Sequence, residues 1–413
     1  MSEKHTLGEL VDELRRDKRR GPYAGHREYV QAAWTVQQEA GRLLDAGNAA
    51  QAAPELRKAV DRITTALMYL DDSSGTAGDA LRELTGMYAR ALTAAPPKNP
   101  KTLANWIAKS VFDGPGWPDI HLSDFAAALG EVGQAHLADL VEQRAAATDL
   151  KDSRRSVYGV RHLHEQLAEV SGDTDRYIAV LARSLTGPDQ YLKIARALRA
   201  ADRPEEATDW ARRGVATHQG NPHLPELHDE LVDLLISDGQ REEALAVRRD
   251  AFARTAVFAA FQPLAKTAAE LDSPDIVTWA LDLLRTRVPD NPAYIHELIS
   301  CLRAADRPEE AWQTAAGRLD ALSKYTLQEL LEQRRGTHPA DTITPYRHLI
   351  DLYLAETGNK YRYQYAVRHL KSLRTIHREL GTETEFTAYL TALRDQHQRK
   401  TSFLARLDQA GLS

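Results

Sequence analysis

The sequence predicts an all-α fold, a solenoid of stacked helical hairpins, and three observations predict it. The ten residues LRAADRPEEA occur at 198–207 and again at 302–311. Two weaker copies lie between them, LISDGQREEA ending at Ala244 and AAELDSPDIV ending at Val277, so the copy ends Ala207, Ala244, Val277 and Ala311 step by 37, 33 and 34 residues. The composition is rich in Ala, Leu, Glu and Arg, which favour helix, and strand-like alternation is nearly absent.

That period is the length of a two-helix, TPR-like (tetratricopeptide-like) unit. Leu198 and Leu302 end an amphipathic first helix. Asp202 and Asp306 then sit where the chain reverses, a place where Asp tolerates left-handed angles and Gly239 does so without steric cost. Pro204 and Pro308 suit the first turn of the second helix, where the missing N–H has no partner to lose. The pairs Glu205–Glu206 and Glu309–Glu310 place negative charge at the positive end of the helix dipole. Ala207, Ala244, Val277 and Ala311 are the repeat-packing positions, small in three of the four copies so that the second helix crosses the first closely.

In chain order, residues 1–27 form a charged segment with a short helix and a loop around Gly21-Pro22 and Gly25. Residues 28–150 form a divergent helical repeat block. Within it LLDAGNAAQAAPEL reverses at Gly47, DDSSGTAGDAL (71–81) is a loop, and AAPPKNPKTL (94–103) leads into a helix. DGPGWPDIHLSD (113–124) is the least regular stretch, and 125–146 reads as helix, Gly-containing turn, helix. Regular repeats fill 151–337, and 338–413 form a C-terminal helical cap with a basic face. In that cap Thr344-Pro345 reads as cap and first turn, and Thr382 with Glu385 as a capping box.

Composition excludes several function classes. Apolar content of 43% is too high for wholesale disorder, and no run of 18 apolar residues or signal-peptide core appears, which predicts a cytoplasmic protein with no membrane partner. One cysteine, Cys301, cannot form an internal disulfide or a cysteine zinc cluster, and its amphipathic helix makes it a buried small hydrophobe. His162 and His164 point about 200° apart on a helix and cannot share a metal. The loop at 71–81 lacks the Lys of a phosphate loop, and the Asp, His and Ser of 113–124 show no readable oxyanion hole. No cofactor and no catalytic residue is predicted.

Two features point to binding. Trp210, Trp279 and Trp312 fall in or beside second helices, where aromatics usually fill seams between repeats, whereas one exposed on a concave face would be a peptide-binding hot spot. Residues 361–406 carry nine Lys or Arg against four acids in a chain of net charge −6. Lys371, Arg374 and Arg378 share a helix face, with Ala366, Leu370, Leu373 and Leu380 as the apolar stripe. Together with Arg399 and Lys400 they make a candidate surface for an acidic protein or nucleic acid.

The tail segments HPADTITPYRHLIDLYL, YAVRHLKSLRTIHRELG and EFTAYLTALRDQHQRKTSFLARLDQAGL, with LMYLDDSSGTAGDALREL and DFAAALGEVGQAHLADLVEQ, resemble the C-terminal helical region of bacterial SWIM zinc-finger proteins over most of 28–413. Those relatives carry an N-terminal Cys-x-Cys…Cys-x-His finger that this chain lacks. The resemblance therefore implies a helical scaffold and transfers neither zinc nor the finger's DNA contact. The sequence reading is a non-catalytic scaffold or adaptor that binds a protein partner through a concave helical face or the basic C-terminal helices. A nucleic-acid adaptor using the same helices, or an enzyme with an unrecognised site, are the alternatives.

Overall fold

The structure, a computed structural model, describes residues 6–15, 25–147 and 154–412. The loop expected around Gly21-Pro22 lies outside the described residues. Among the described residues the regular elements are helices, with no strand. They form two compact units, Met1–Leu227 and His228–Ser413.

The first unit holds α1 (Leu7–Glu13), α2 (His26–Asp45), α3 (Ala49–Ala66), α4 (Thr76–Ala94), α5 (Pro100–Asp113), α6 (Leu122–Ala147), α7 (Arg154–Val170), α8 (Thr174–Ala182), α9 (Pro188–Ala200) and α10 (Pro204–Thr217). The division between units falls inside α11 (Leu224–Ser237). The second unit continues with α12 (Arg241–Thr255), α13 (Phe258–Glu270), α14 (Pro274–Arg287), α15 (Tyr294–Ala304), α16 (Pro308–Ala316), α17 (Lys324–Arg335), α18 (Ile343–Ala355), α19 (Arg362–Glu379), α20 (Glu383–Gln396) and α21 (Thr401–Gln409).

Apolar residues at three- and four-residue spacing explain the stacking. On α2 the stripe Tyr29, Ala33, Val36, Ala40 and Leu43 is buried, and on α3 Leu56, Val60 and Ile63 are fully buried. Each of those large aliphatic chains contributes about 1.5–3 kcal/mol relative to exposure. First helices α2, α4 and α6 touch in succession, while α3 packs on α4 and α5 on α6. Tyr88, Trp106 and Phe125 fill the junction of α4, α5 and α6 with ring centroids 5.3–6.0 Å apart. The expected turn inside α6 is a kink at Gly130, whose φ is 53°.

All four copies of the decamer close in the same way. The fifth residue of each, Asp202, Gly239, Asp272 and Asp306, has φ of 59°, 77°, 51° and 57°. The sixth residue's N–H donates to the first residue's carbonyl, at 2.9 Å (Arg203 to Leu198), 2.8 Å (Gln240 to Leu235), 2.8 Å (Ser273 to Ala268) and 2.9 Å (Arg307 to Leu302). The fifth N–H donates to the second carbonyl at 3.0–3.2 Å, which completes a Schellman turn. Gly47, Gly381 and Gly411 close α2, α19 and α21 with the same pair of bonds. Pro204, Pro274 and Pro308 occupy the first turn of the following helix.

Ala207, Ala244 and Ala311 are fully buried. Val277 is half-buried at the edge of the core, and Ile276, one residue earlier, takes the buried place in that copy. A close approach in the α9–α10 hairpin comes further along α10, at Gly214. A Cβ there would stand 2.6 Å from Tyr191 Cβ and 2.6 Å from Leu227 Cδ2.

Three local expectations are corrected. Thr382 stands at the N-cap of α20 but makes no capping bond, because its hydroxyl is engaged by His377 Nδ1 at 2.7 Å. Thr344 lies inside α18, which a short 3-10 turn at Pro339–Thr342 starts two residues sooner than expected. Leu380 is 36% exposed, and Ile376 and His377 complete the buried stripe of α19 in its place.

Candidate binding surfaces

A concavity of about 1080 Å³ lies in the first unit over α2, α4 and the start of α6. Its floor is flat because α4 presents Gly86 and Ala89, and a Cβ on Gly86 would meet nothing within 4 Å. Met87 and Val30 line it, and Trp34 stands over it 53% exposed. That tryptophan lies off the buried stripe of α2, so the helix turns it away from the core. The polar rim holds Asp79 paired with Arg82 at 2.7 Å, with Glu83, Arg90 and Asp124 around it. Sequence reasoning passed over Trp34; its place beside the stripe, one residue after Ala33, was the available signal.

The two irregular loops of the first unit meet. Residues 71–73 and 116–119 line a second cavity of about 520 Å³. Asp72 accepts the N–H groups of Ala77 and Gly78 at 2.9 and 2.8 Å and so caps α4, while Trp117 donates its indole N–H to the Thr64 carbonyl at 3.2 Å. Gln166 ties the second loop down, accepting the Leu122 N–H at 2.7 Å and donating to the Ile120 carbonyl at 3.0 Å. His162 Nε2 lies 2.8 Å from the Gln166 amide nitrogen, and His164 faces Glu142 at 3.0 Å, so the two imidazoles diverge as their spacing dictates. Burial lowers the pKa of His162, which suits its acceptor role.

The tryptophans of the second helices carry arginines. Arg213 lies 4.3 Å from the Trp210 ring centroid, Arg249 lies 4.6 Å from Trp279, and Arg334 lies 5.3 Å from Trp312. Trp312 is buried and the other two are half-buried, which makes them seam residues. Cys301 is fully buried, and that burial pushes its thiol up to about 12, leaving it protonated and inert. Among the described residues no three His, Cys, Asp or Glu side chains stand together as a metal-ligand set. No helix among them is long and apolar enough to cross a membrane.

The five basic residues of the tail are not brought into one patch. Arg374 donates to the Gly411 carbonyl at 2.8 Å and, with Arg378, lines a small groove with Arg394. Arg394 in turn donates to the Leu412 carbonyl at 3.1 Å and pairs with Asp408 at 2.9 Å. Both arginines thus pin the end of α21. Arg399 and Lys400 lie in the α20–α21 turn, just before Phe403, whose ring is 5.5 Å from Tyr363 at the other end of α19. Tyr363 and Arg378 are separated by about 22 Å of helix at 1.5 Å per residue. Lys371 belongs to a third place, a groove of about 370 Å³ between α19 and α21 lined also by Gln364, Arg368, Arg406 and Gln409. Arg368 and Arg406 belong to the nine cations counted in 361–406 but not to the five-residue candidate surface, because counting does not show which cations lack acids.

In comparisons with known proteins, no curated protein matches the chain. Solved structures that match include Naa15/Naa10 bound to HypK-THB (14% identity, 97% of this chain and 72% of that one, TM-score 0.31). A human IFIT1 dimer with PPP-AAAA (11%, 93% and 92%, 0.22) and the APC/C hetero-tetramer Cut9–Hcn1 (9%, 92% and 92%, 0.20) also match. At these scores the likeness carries no argument, and the TPR-like helical-hairpin fold rests on the elements and turns above. These structures and the family match give no support to a relation with SWIM zinc-finger proteins. Residues 46–406, the greater part of the chain, match one family throughout, so the chain belongs to the family of unknown function DUF6880.

Proposed function

We propose that the chain is a non-catalytic helical-repeat adaptor that holds a segment of another protein in the groove over α2 and α4. The observation that carries this reading is Trp34, a large aromatic 53% exposed above a floor of Gly86 and Ala89. Exposed aromatics beside a concavity are the usual anchors of protein interfaces. The flat floor suits a partner helix, whose backbone approaches closely where side chains are small. Its polar lining supports binding over catalysis: Asp79 is committed to Arg82, and no histidine, cysteine or serine lines the groove. A cytoplasmic location and the helical scaffold shared with SWIM proteins belong to the same reading.

The test is capture from a lysate of the native host by the full chain and by Trp34→Glu, followed by mass spectrometry. Proteins retained by the former and lost by the latter are the expected result, with circular dichroism of the variant unchanged. Identical protein sets from both would overturn the groove as the binding site.

A further inference from the structure

The exposed face of α19 arranges aromatic rings and unpaired cations in one line. Tyr361, Tyr365, Arg368 and Lys371 follow one another at four-, three- and three-residue steps, so they share one side of the helix. Tyr361 is 49% exposed and meets Tyr365 edge-on, with centroids 6.5 Å apart at 72°. The Arg368 guanidinium lies 5.7 Å from the Tyr365 centroid, and Lys360 Nζ lies 4.9 Å from that of Tyr361. Beyond Arg368 opens the groove between α19 and α21, into which Lys371 and Arg406 also project.

No acid lines that groove; its remaining polar residues are Gln364 and Gln409. Arg368, Lys371 and Arg406 are all exposed, and none has a carboxylate within ion-pair distance among the described residues. Several other arginines of this unit are paired with acids, as with Arg248 on Asp229 at 2.6 Å, Arg285 on Asp282 and Glu310 at 2.6 Å, and Arg334 on Glu309 and Asp341 at 2.5 Å. Three like charges facing one cleft repel one another unless an anion neutralises them, and the two glutamines supply neutral donors for its oxygens.

We propose that this face binds single-stranded nucleic acid, with consecutive phosphates in the groove of Arg368, Lys371 and Arg406 and a base stacked on Tyr361. A cationic groove beside an exposed aromatic is the pair of features that single-stranded binding uses, the cations tracking the backbone and the ring accepting any base. An acidic peptide would use the cations and leave the tyrosine idle. The site is separate from the Trp34 groove, and neither reading depends on the other.

Fluorescence anisotropy of the full chain with labelled single-stranded oligo(U) RNA, oligo(dT) DNA and poly-glutamate tests it. Binding of one or both oligonucleotides is expected at about 50 mM salt, with the log of affinity falling against log salt at a slope near −2, from roughly 0.7 per phosphate over three contacts. The RNA and DNA arms show which sugar is accepted. Tyr361→Ala should weaken binding on the order of tenfold, with Tyr361→Phe restoring it. The triple variant Arg368→Gln, Lys371→Gln, Arg406→Gln should abolish it, whereas Lys98→Gln, Lys101→Gln, Lys109→Gln, which removes the same charge from exposed sites in the first unit, should not. Poly-glutamate binding as tightly as the oligonucleotides, an unchanged Tyr361→Ala, equal losses in the two triple variants, or no oligonucleotide binding would each overturn the proposal.

Discussion

Replacing Gly214 with Ala should destabilise the chain, although Ala is the better helix former. A Cβ at this position would come within 2.6 Å of Tyr191 Cβ and 2.6 Å of Leu227 Cδ2. Carbon atoms pack at about 3.5–4.0 Å, so each contact is short by roughly 1 Å. Leu227 can rotate its terminal methyl aside. Tyr191 Cβ is fixed to the backbone of α9, so α10 must move away from it. Overpacking of this kind costs about 1–3 kcal/mol, against about 1 kcal/mol gained in helix propensity, which leaves a net loss of about 1 kcal/mol. Gly86, inside α4, is the internal control: with nothing within 4 Å of its Cβ, Gly86→Ala should stabilise by up to about 1 kcal/mol. Urea unfolding followed by circular dichroism should therefore move the two midpoints in opposite directions. An equal upward shift for both would refute the close crossing at Gly214.

Ala207→Arg places a charge in a fully buried site and should cost about 2–4 kcal/mol, while exposed Glu205→Arg in the same turn should cost under about 1 kcal/mol; equal thermal melts would contradict the facing of α10. Gln166→Ala leaves the buried Leu122 N–H and Ile120 carbonyl unpaired, which should cost about 1–3 kcal/mol and speed proteolytic cleavage within 113–124. Unchanged cleavage would show that the loop is held by other contacts. Burial, with Arg248 and Arg254 nearby, holds His228 down to about 4, and burial with Arg368 does the same for His369. A depressed imidazole pKa means the unfolded chain binds the proton first, so this stability is full above about pH 6.5 and is lost as pH falls toward 4, with each shift on the order of 3 kcal/mol at most. Melting temperature should fall steadily between pH 7 and pH 5, and His369→Gln should flatten the slope; a level profile would contradict the burial of both rings.

What the sequence made legible was local. The decamer carries its turn within ten residues, so the left-handed Asp202 and Asp306, the first-turn prolines and the buried alanines could all be read directly. Val277 holds the tenth place of a copy whose turn is in register with the others, yet Ile276 is the buried residue, because burial follows the helix face, not the alignment. Thr382 fits a capping box in sequence, yet the spatial neighbour His377 competes for its hydroxyl. The surfaces were legible only in part. An excess of positive charge in 361–406 is a sum, whereas binding depends on which cations remain unpaired after folding. Arg374 and Arg394 are taken by carbonyls of Gly411 and Leu412, and those contacts span 37 and 18 residues. The Trp34 groove exists only once α2 and α4 are side by side, which periodicity within either helix does not specify.

The repeated Schellman turn also bears on how the chain is made. Each closes through two hydrogen bonds confined to six consecutive residues, so a hairpin needs nothing synthesised later to reverse its direction. Loops this short have little closure entropy to overcome, and stacked repeats add contacts chiefly to the neighbour already formed. Folding can therefore keep step with translation, one hairpin docking on the previous one as it leaves the ribosome. Growth of the fold is then vectorial: once α10 has emerged through Thr217, the α9–α10 hairpin can dock on the helices before it while α11 is still to come.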